Sequence, residues 1–124
     1  MTAAASTVAL ASFDRSTRAE LARYLEASGF GVAQSELPPE AFGGGSLVWL
    51  AERDLEADVA ETVVTSWLAR GPRHRVVIVT WRPAALRELL DRHPSRMFVL
   101  TPPVFGWQVV DALRASGPGE PSAA

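Results

Sequence analysis

Four places in this chain set hydroxyl, carboxyl and aromatic side chains just beyond short apolar runs: Ser12-Phe13, Ala51-Glu52, Thr80-Trp81 and Thr101-Pro102. In an open α/β sheet, ligands and chemistry collect outside the carboxyl ends of the strands. Ser12, Thr80 and Thr101 offer hydroxyls, and Asp14, Glu52 and Asp54 offer nearby carboxylates. Carboxylates there could hold a hard cation such as Mg²⁺ or act as nucleophile and acceptor. Both uses need companions. A metal needs several oxygens in a near-octahedral set, and phosphoryl transfer needs cations to neutralise the oxygens in flight. The strand ends carry no aspartate pair and no cation on the last run.

The acids have a simpler use. Asp14 sits in a turn, while Asp54, Glu56 and Asp58 precede or open a helix, whose N-terminus favours negative charge. Glu52 lies one residue past Ala51, and a one-residue shift along a strand turns a side chain to the other face. No metal site is expected. His74 and His93 flank loops without a second ligand and read as surface residues. Arg70, Arg73 and Arg75 form a basic cluster away from the crevice and read as solvated.

The elements that must position these residues fit one domain. The 124 residues are 48% hydrophobic and 21% charged, with a net charge of −2, an ordinary folded composition. The arginines are scattered among acids, so no basic stripe suggests nucleic acid. There is no cysteine and no lysine, which excludes thiolate chemistry and Schiff bases. No apolar run approaches a membrane span. The N-terminus lacks the positive start of a secretory signal, so a cytoplasmic protein is expected.

Five β-branched, apolar runs alternate with helical stretches. Strands are expected at 7–12, 30–35, 47–50, 75–80 and 97–100. A capping box at Thr17 to Glu20 opens the first helix, with Leu21, Tyr24 and Leu25 on one face and Gly29 as its left-handed cap. Residues 37–45 hold two prolines and three glycines, so the second crossover helix is shortened or lost. Leu55, Val59, Val63 and Trp67 repeat every four residues in the next helix. Further helices are expected at 84–92 and 105–115. In the last one, Phe105, Val109 and Leu113 form the core stripe, leaving Trp107 and Val110 towards solvent as a candidate interaction surface. Residues 1–115 form the domain, and 116–124 read as a flexible linker or tail. The βα repeat predicts a three-layer αβα, doubly wound parallel sheet of order 2-1-3-4-5.

Three segments in order carry a family resemblance: Arg18 to Phe30, Val76-Val-Ile-Val-Thr80 and Phe98-Val-Leu-Thr-Pro102. On these the chain resembles the receiver domain of two-component response regulators over nearly its whole length. The resemblance implies a flavodoxin-like signalling domain, and it implies departures at the phosphorylation pocket. Ser12 and Phe13 stand where the family has its metal-binding acids, and Ala51, followed by Glu52, where it has the acceptor aspartate. Thr80 keeps the fourth-strand hydroxyl but is followed by Trp81, which is expected to fill the pocket. Thr101 replaces the lysine. Pro102 is kept, with a cis bond implied before it, and Phe98 matches the switch aromatic.

The expected function is therefore a phosphorylation-independent signalling and protein-interaction module. It would be a pseudo-receiver forming the N-terminal regulatory domain of a larger bacterial regulator. It would be no enzyme and carry no cofactor. Its partner would be another protein or an adjacent output domain, with a homodimer through the last helix and fifth strand as one form. The alternatives are a flavin- or nucleotide-like ligand domain, or a receiver with an unconventional acceptor at Glu52.

Overall fold

The computed structural model describes residues 7–39, 45–51 and 55–115. Five parallel strands, β1 (Thr7–Ala11), β2 (Gly31–Ser35), β3 (Ser46–Leu50), β4 (Arg75–Val79) and β5 (Met97–Leu100), form one sheet of order β2-β1-β3-β4-β5. The helices are α1 (Arg15–Ala27), α2 (Ala57–Leu68), α3 (Arg87–Arg92), preceded by a 3₁₀ turn at Pro83–Leu86, and α4 (Gly106–Arg114). No helix occupies the described residues between β2 and β3, 36–39 and 45; most of the proline- and glycine-rich stretch where a shortened helix is expected lies outside the described residues.

Alternation along each strand divides the core in two. Ala9, Leu47, Trp49, Val76 and Ile78 meet Ala60, Val64 and Trp67 of α2, with Leu86 and Leu89. Val8, Leu10, Val48 and Val77 meet Leu25 of α1 and Val109 of α4. The central strands are buried on both faces, which is why they read as continuous apolar runs.

Helix ends explain much of the local detail. Gly29 adopts φ +102°. The Phe30 amide donates to the Leu25 carbonyl and the Gly29 amide to that of Glu26, which is the Schellman pattern, with Phe30 packed against the core cluster that holds Leu25. At the other end, the N-cap of α1 lies three residues before the Thr17 expected to open it. Asp14 is the N-cap and accepts from the Thr17 amide at 3.3 Å and the Thr17 hydroxyl at 2.9 Å. An aspartate oxygen at N-cap satisfies an otherwise unpaired amide, so Asp14 takes the cap ahead of Thr17.

Of the basic cluster, Arg73 is exposed, whereas Arg70 and Arg75 are not solvated as expected. Arg75 donates to the Leu113 and Ala115 carbonyls at the end of α4. Arg70 lies 4.4 Å over the Trp67 ring and donates to the Pro39 carbonyl. Arg96 donates to the carbonyls of Leu68, the last residue of α2, of Gly71 beyond it, and of His74, while Arg114 reaches Ser28 at the end of α1. Arginine at a helix C-terminus satisfies unpaired carbonyls and favours the negative end of the dipole. His74 is part-buried beside Trp67, its ring edge-on at a centroid distance of 6.2 Å, so it is no free surface residue.

Two apolar stripes fall in a different phase from that expected. In α2, Ala60, Val64, Trp67 and Leu68 are buried, whereas Val59 is 47% exposed. In α4, Val110 is 6% exposed and belongs to the core. The helix starts at Gly106 with Phe105 as an extended N-cap. The 3.6-residue period therefore does not reach Phe105, and the buried stripe widens to Val109, Val110, Ala112 and Leu113.

Candidate functional site

The carboxyl ends of β1, β3, β4 and β5 open on a cleft of about 530 Å³. Its floor is Leu50, Ala51 and Val79, and one wall is α1 with its N-cap: Asp14, Thr17, Glu20, Leu21 and Tyr24. Trp81 and Pro102 stand at the strand ends, and Val104, Phe105 and Gly106 close the side towards α4. Ser12 lines the β1 end.

The two polar side chains buried at the strand ends are already engaged. The Ser12 hydroxyl accepts from the Asp14 amide at 3.1 Å, and the Thr80 hydroxyl accepts from the Arg82 amide at 3.1 Å. Each holds the loop that leaves its strand, a local side-chain-to-backbone bond typical of Ser and Thr. Arg18 Nη1 donates to the Ser12 carbonyl at 2.6 Å, which keeps that guanidinium against the loop backbone.

Asp14 and Glu20 are the charged groups among the described lining residues, and both are acidic. The Thr17 hydrogen bonds, first from its hydroxyl and then from its amide, hold the Asp14 carboxyl below its ordinary value. Among the described residues no group of three or more His, Cys, Asp or Glu could hold a metal ion. Ala51 brings only a methyl group to the centre of the floor.

The expected site residues divide. Ser12, Ala51, Trp81 and Pro102 meet at the cleft, and Thr80 lies buried at the end of β4. Phe13 and Thr101 are exposed and do not line it, and Glu52 lies outside the described residues. Trp81 does not fill the pocket: it is 52% exposed and lines a cleft that stays open. The cis bond lies between Pro102 and Pro103, one residue later than expected. Phe98 packs into the core beneath α1 and α4. Trp107 is 56% exposed on the outer face of α4, but Val110 is not its neighbour on that surface.

Sequence reasoning missed the α1 and α4 walls. The helical period puts Tyr24 with Leu21 and Leu25 on a core face, yet its ring lies against the first turn of α4. A Cβ built at Gly106 would come within 2.6 Å of it. A glycine opening a helix beside a lone tyrosine was the available signal.

No protein-family model matches the sequence, and a search of curated proteins finds no significant match. Solved structures do match the fold. A response regulator receiver domain protein from Methanospirillum hungatei JF-1 superposes with a TM-score of 0.68 at 12% identity, covering 90% of this chain and 92% of that one. A structure described as adenylate cyclase from Rhodopirellula baltica gives 0.69 at 15%, covering 89% and 85%. A response regulator from Burkholderia pseudomallei with a phosphorylated aspartic acid and a calcium ion gives 0.64 at 15%, covering 89% and 67%. The chain has the receiver-domain fold. Among the described residues no helix is long and apolar enough to cross a membrane.

Proposed function

We propose that this chain is a receiver-fold signalling module that acts through protein contacts and does not depend on aspartyl phosphorylation. The observation that carries this reading is the floor and charge of its cleft. Ala51 stands at the end of β3 with no nucleophile, and the charged groups among the described lining residues are two acids. A phosphoryl group would meet like charge, with no cation among the described lining residues to stabilise it. The Burkholderia regulator carries a phosphorylated aspartate; here an alanine methyl group faces the corresponding crevice.

The module would serve as the N-terminal regulatory domain of a larger bacterial, cytoplasmic regulator. It would act as a docking partner and not as an enzyme, and with no phosphoryl group to answer it needs no rotating aromatic at Phe98. Trp107, exposed on α4, is the proposed contact residue of that helix, for an output domain or a second copy. Sedimentation of the wild type beside Trp107→Ala tests self-association there: a monomer in both removes the homodimer from the proposal. Chemical-shift mapping with Mg²⁺ and beryllofluoride tests the rest, with no shifts expected in the Ser12–Thr17 loop or around Ala51. Saturable shifts there would support the alternative acceptor at Glu52.

The cleft volume favours one second reading, a small-ligand domain, because about 530 Å³ falls in the range of small-molecule sites. Against a flavin or nucleotide, the stretch from Ser12 into the first turn of α1 at Thr17 has no glycine to wrap a phosphate with backbone amides. A coloured protein on purification, or nucleotide released on denaturation, would establish that reading.

A further inference from the structure

Seven large hydrophobic side chains stand exposed among the described residues, and five are aromatic: Phe13, Tyr24, Trp81, Phe105 and Trp107. Three of the five, Tyr24, Trp81 and Phe105, line the one cleft at the strand ends. Such concentration marks a contact site more than scattered exposed leucines would. The same cleft carries the carboxylates of Asp14 and Glu20 and, among its described lining residues, no positive charge.

These two features together select the occupant. An apolar side chain would desolvate the Glu20 carboxylate, and that of Asp14 beyond its bonds to Thr17, without pairing the charge, which is costly. An acidic group would meet like charge. A cation with a flat, weakly hydrated body satisfies both, because aromatic faces attract cations and carboxylates accept their N–H groups. Arginine fits better than lysine, since its guanidinium stacks on rings and forks onto carboxylates. We infer that this cleft receives an arginine side chain carried by a protein partner. The inference rests on the contact-module reading for its macromolecular source; its chemistry rests on the lining. The Thr17 hydrogen bonds keep the Asp14 carboxyl below its ordinary value, which favours its charged form. Tyr24, lying against the Gly106 backbone, has a fixed wall behind it.

The test titrates the ¹⁵N-labelled chain with the peptide acetyl-Ser-Arg-Ser-amide. Acetyl-Ser-Glu-Ser-amide, acetyl-Ser-Leu-Ser-amide and tetramethylammonium chloride serve as separate arms. The arginine peptide should give saturable shifts at Glu20, Ala51, Gly106 and the Trp81 indole, weakening as salt rises. Glu20→Gln should weaken binding about fivefold, or ~1 kcal/mol, and Phe105→Ala about threefold; both sites are exposed, so the fold should persist. Equal binding of the leucine or glutamate peptide would overturn the inference. So would tetramethylammonium binding as tightly as the peptide, shifts confined to another surface, or no shifts at about 10 mM peptide. Silence in every arm, with beryllofluoride also inert, would remove the arginine occupant and leave the contact module standing. A beryllofluoride adduct would overturn the contact module whatever the peptides do.

Discussion

Replacing Gly106 with alanine probes the wall of the cleft with one methyl group. That carbon would lie 2.6 Å from Cγ and Cδ1 of Tyr24 and 3.0 Å from Cδ2, against about 3.5–4.0 Å for comfortable carbon contact. The clash falls at the root of the ring, so a small rotation of its tip gives no relief. Either Tyr24 leaves its rotamer or α1 and α4 move apart. Overpacking of this kind costs about 1–3 kcal/mol. Alanine returns part of the roughly 0.5–1 kcal/mol that glycine forfeits in a helix, and less at the first helical position. The net expectation is a loss of about 1–2 kcal/mol, or roughly 5–10 °C in Tm for a domain of this size. Urea unfolding followed by circular dichroism should show a lower midpoint at unchanged slope. In a Tyr24→Ala background, the same Gly106→Ala change should be neutral or stabilising. A full-strength loss that persists without the tyrosine ring would refute the reasoning, as would a Gly106→Ala protein as stable as the wild type.

Three further outcomes follow from the helix ends. Arg96→Ala should lose about 2–3 kcal/mol in urea unfolding, because charged hydrogen bonds to three carbonyls disappear together, and Arg96→Lys should recover only part. Asp14→Ala should fray α1, seen as faster amide exchange in its first turn. The Asp14 pKa is lowered in the folded state, so its stabilisation is present above the ordinary aspartate value of about 3.9 and is lost as pH falls through the lowered one. The variant should therefore show a shallower acid limb. Burial, then the charges of Arg92 and Arg96, lower the His93 pKa. Stability should accordingly decline as pH drops below about 6.5 towards the folded value, and His93→Gln should flatten that decline.

The strands were legible because a buried parallel strand needs a run of branched apolar residues, and Val76 to Val79 has no other use. Gly29 was legible because its φ of +102° is one that few residues accept. Stripe phase was not. Val110 and Val59 each satisfy a helical period, and only the true helix start and the tertiary partner decide which face is inward. The arginines were misread for a different reason. Arg96 caps a carbonyl 28 positions away, and Arg114 one that is 86 away, and no local pattern encodes such partners. For the site, the strand ends named part of the cleft, whereas its aromatic and acidic walls come from α1 and α4, which meet only in the fold. Trp81 was expected inside the pocket because its size suits one. In the structure it lines the opening.

The central claim is that this receiver fold works without taking a phosphoryl group. Intact-mass measurement of the full chain after incubation with Mg²⁺ and acetyl phosphate tests it most directly. The account predicts an unmodified mass at every donor concentration. A stoichiometric phospho-adduct, localised to Glu52, Asp14 or any other residue at the strand ends, would contradict it.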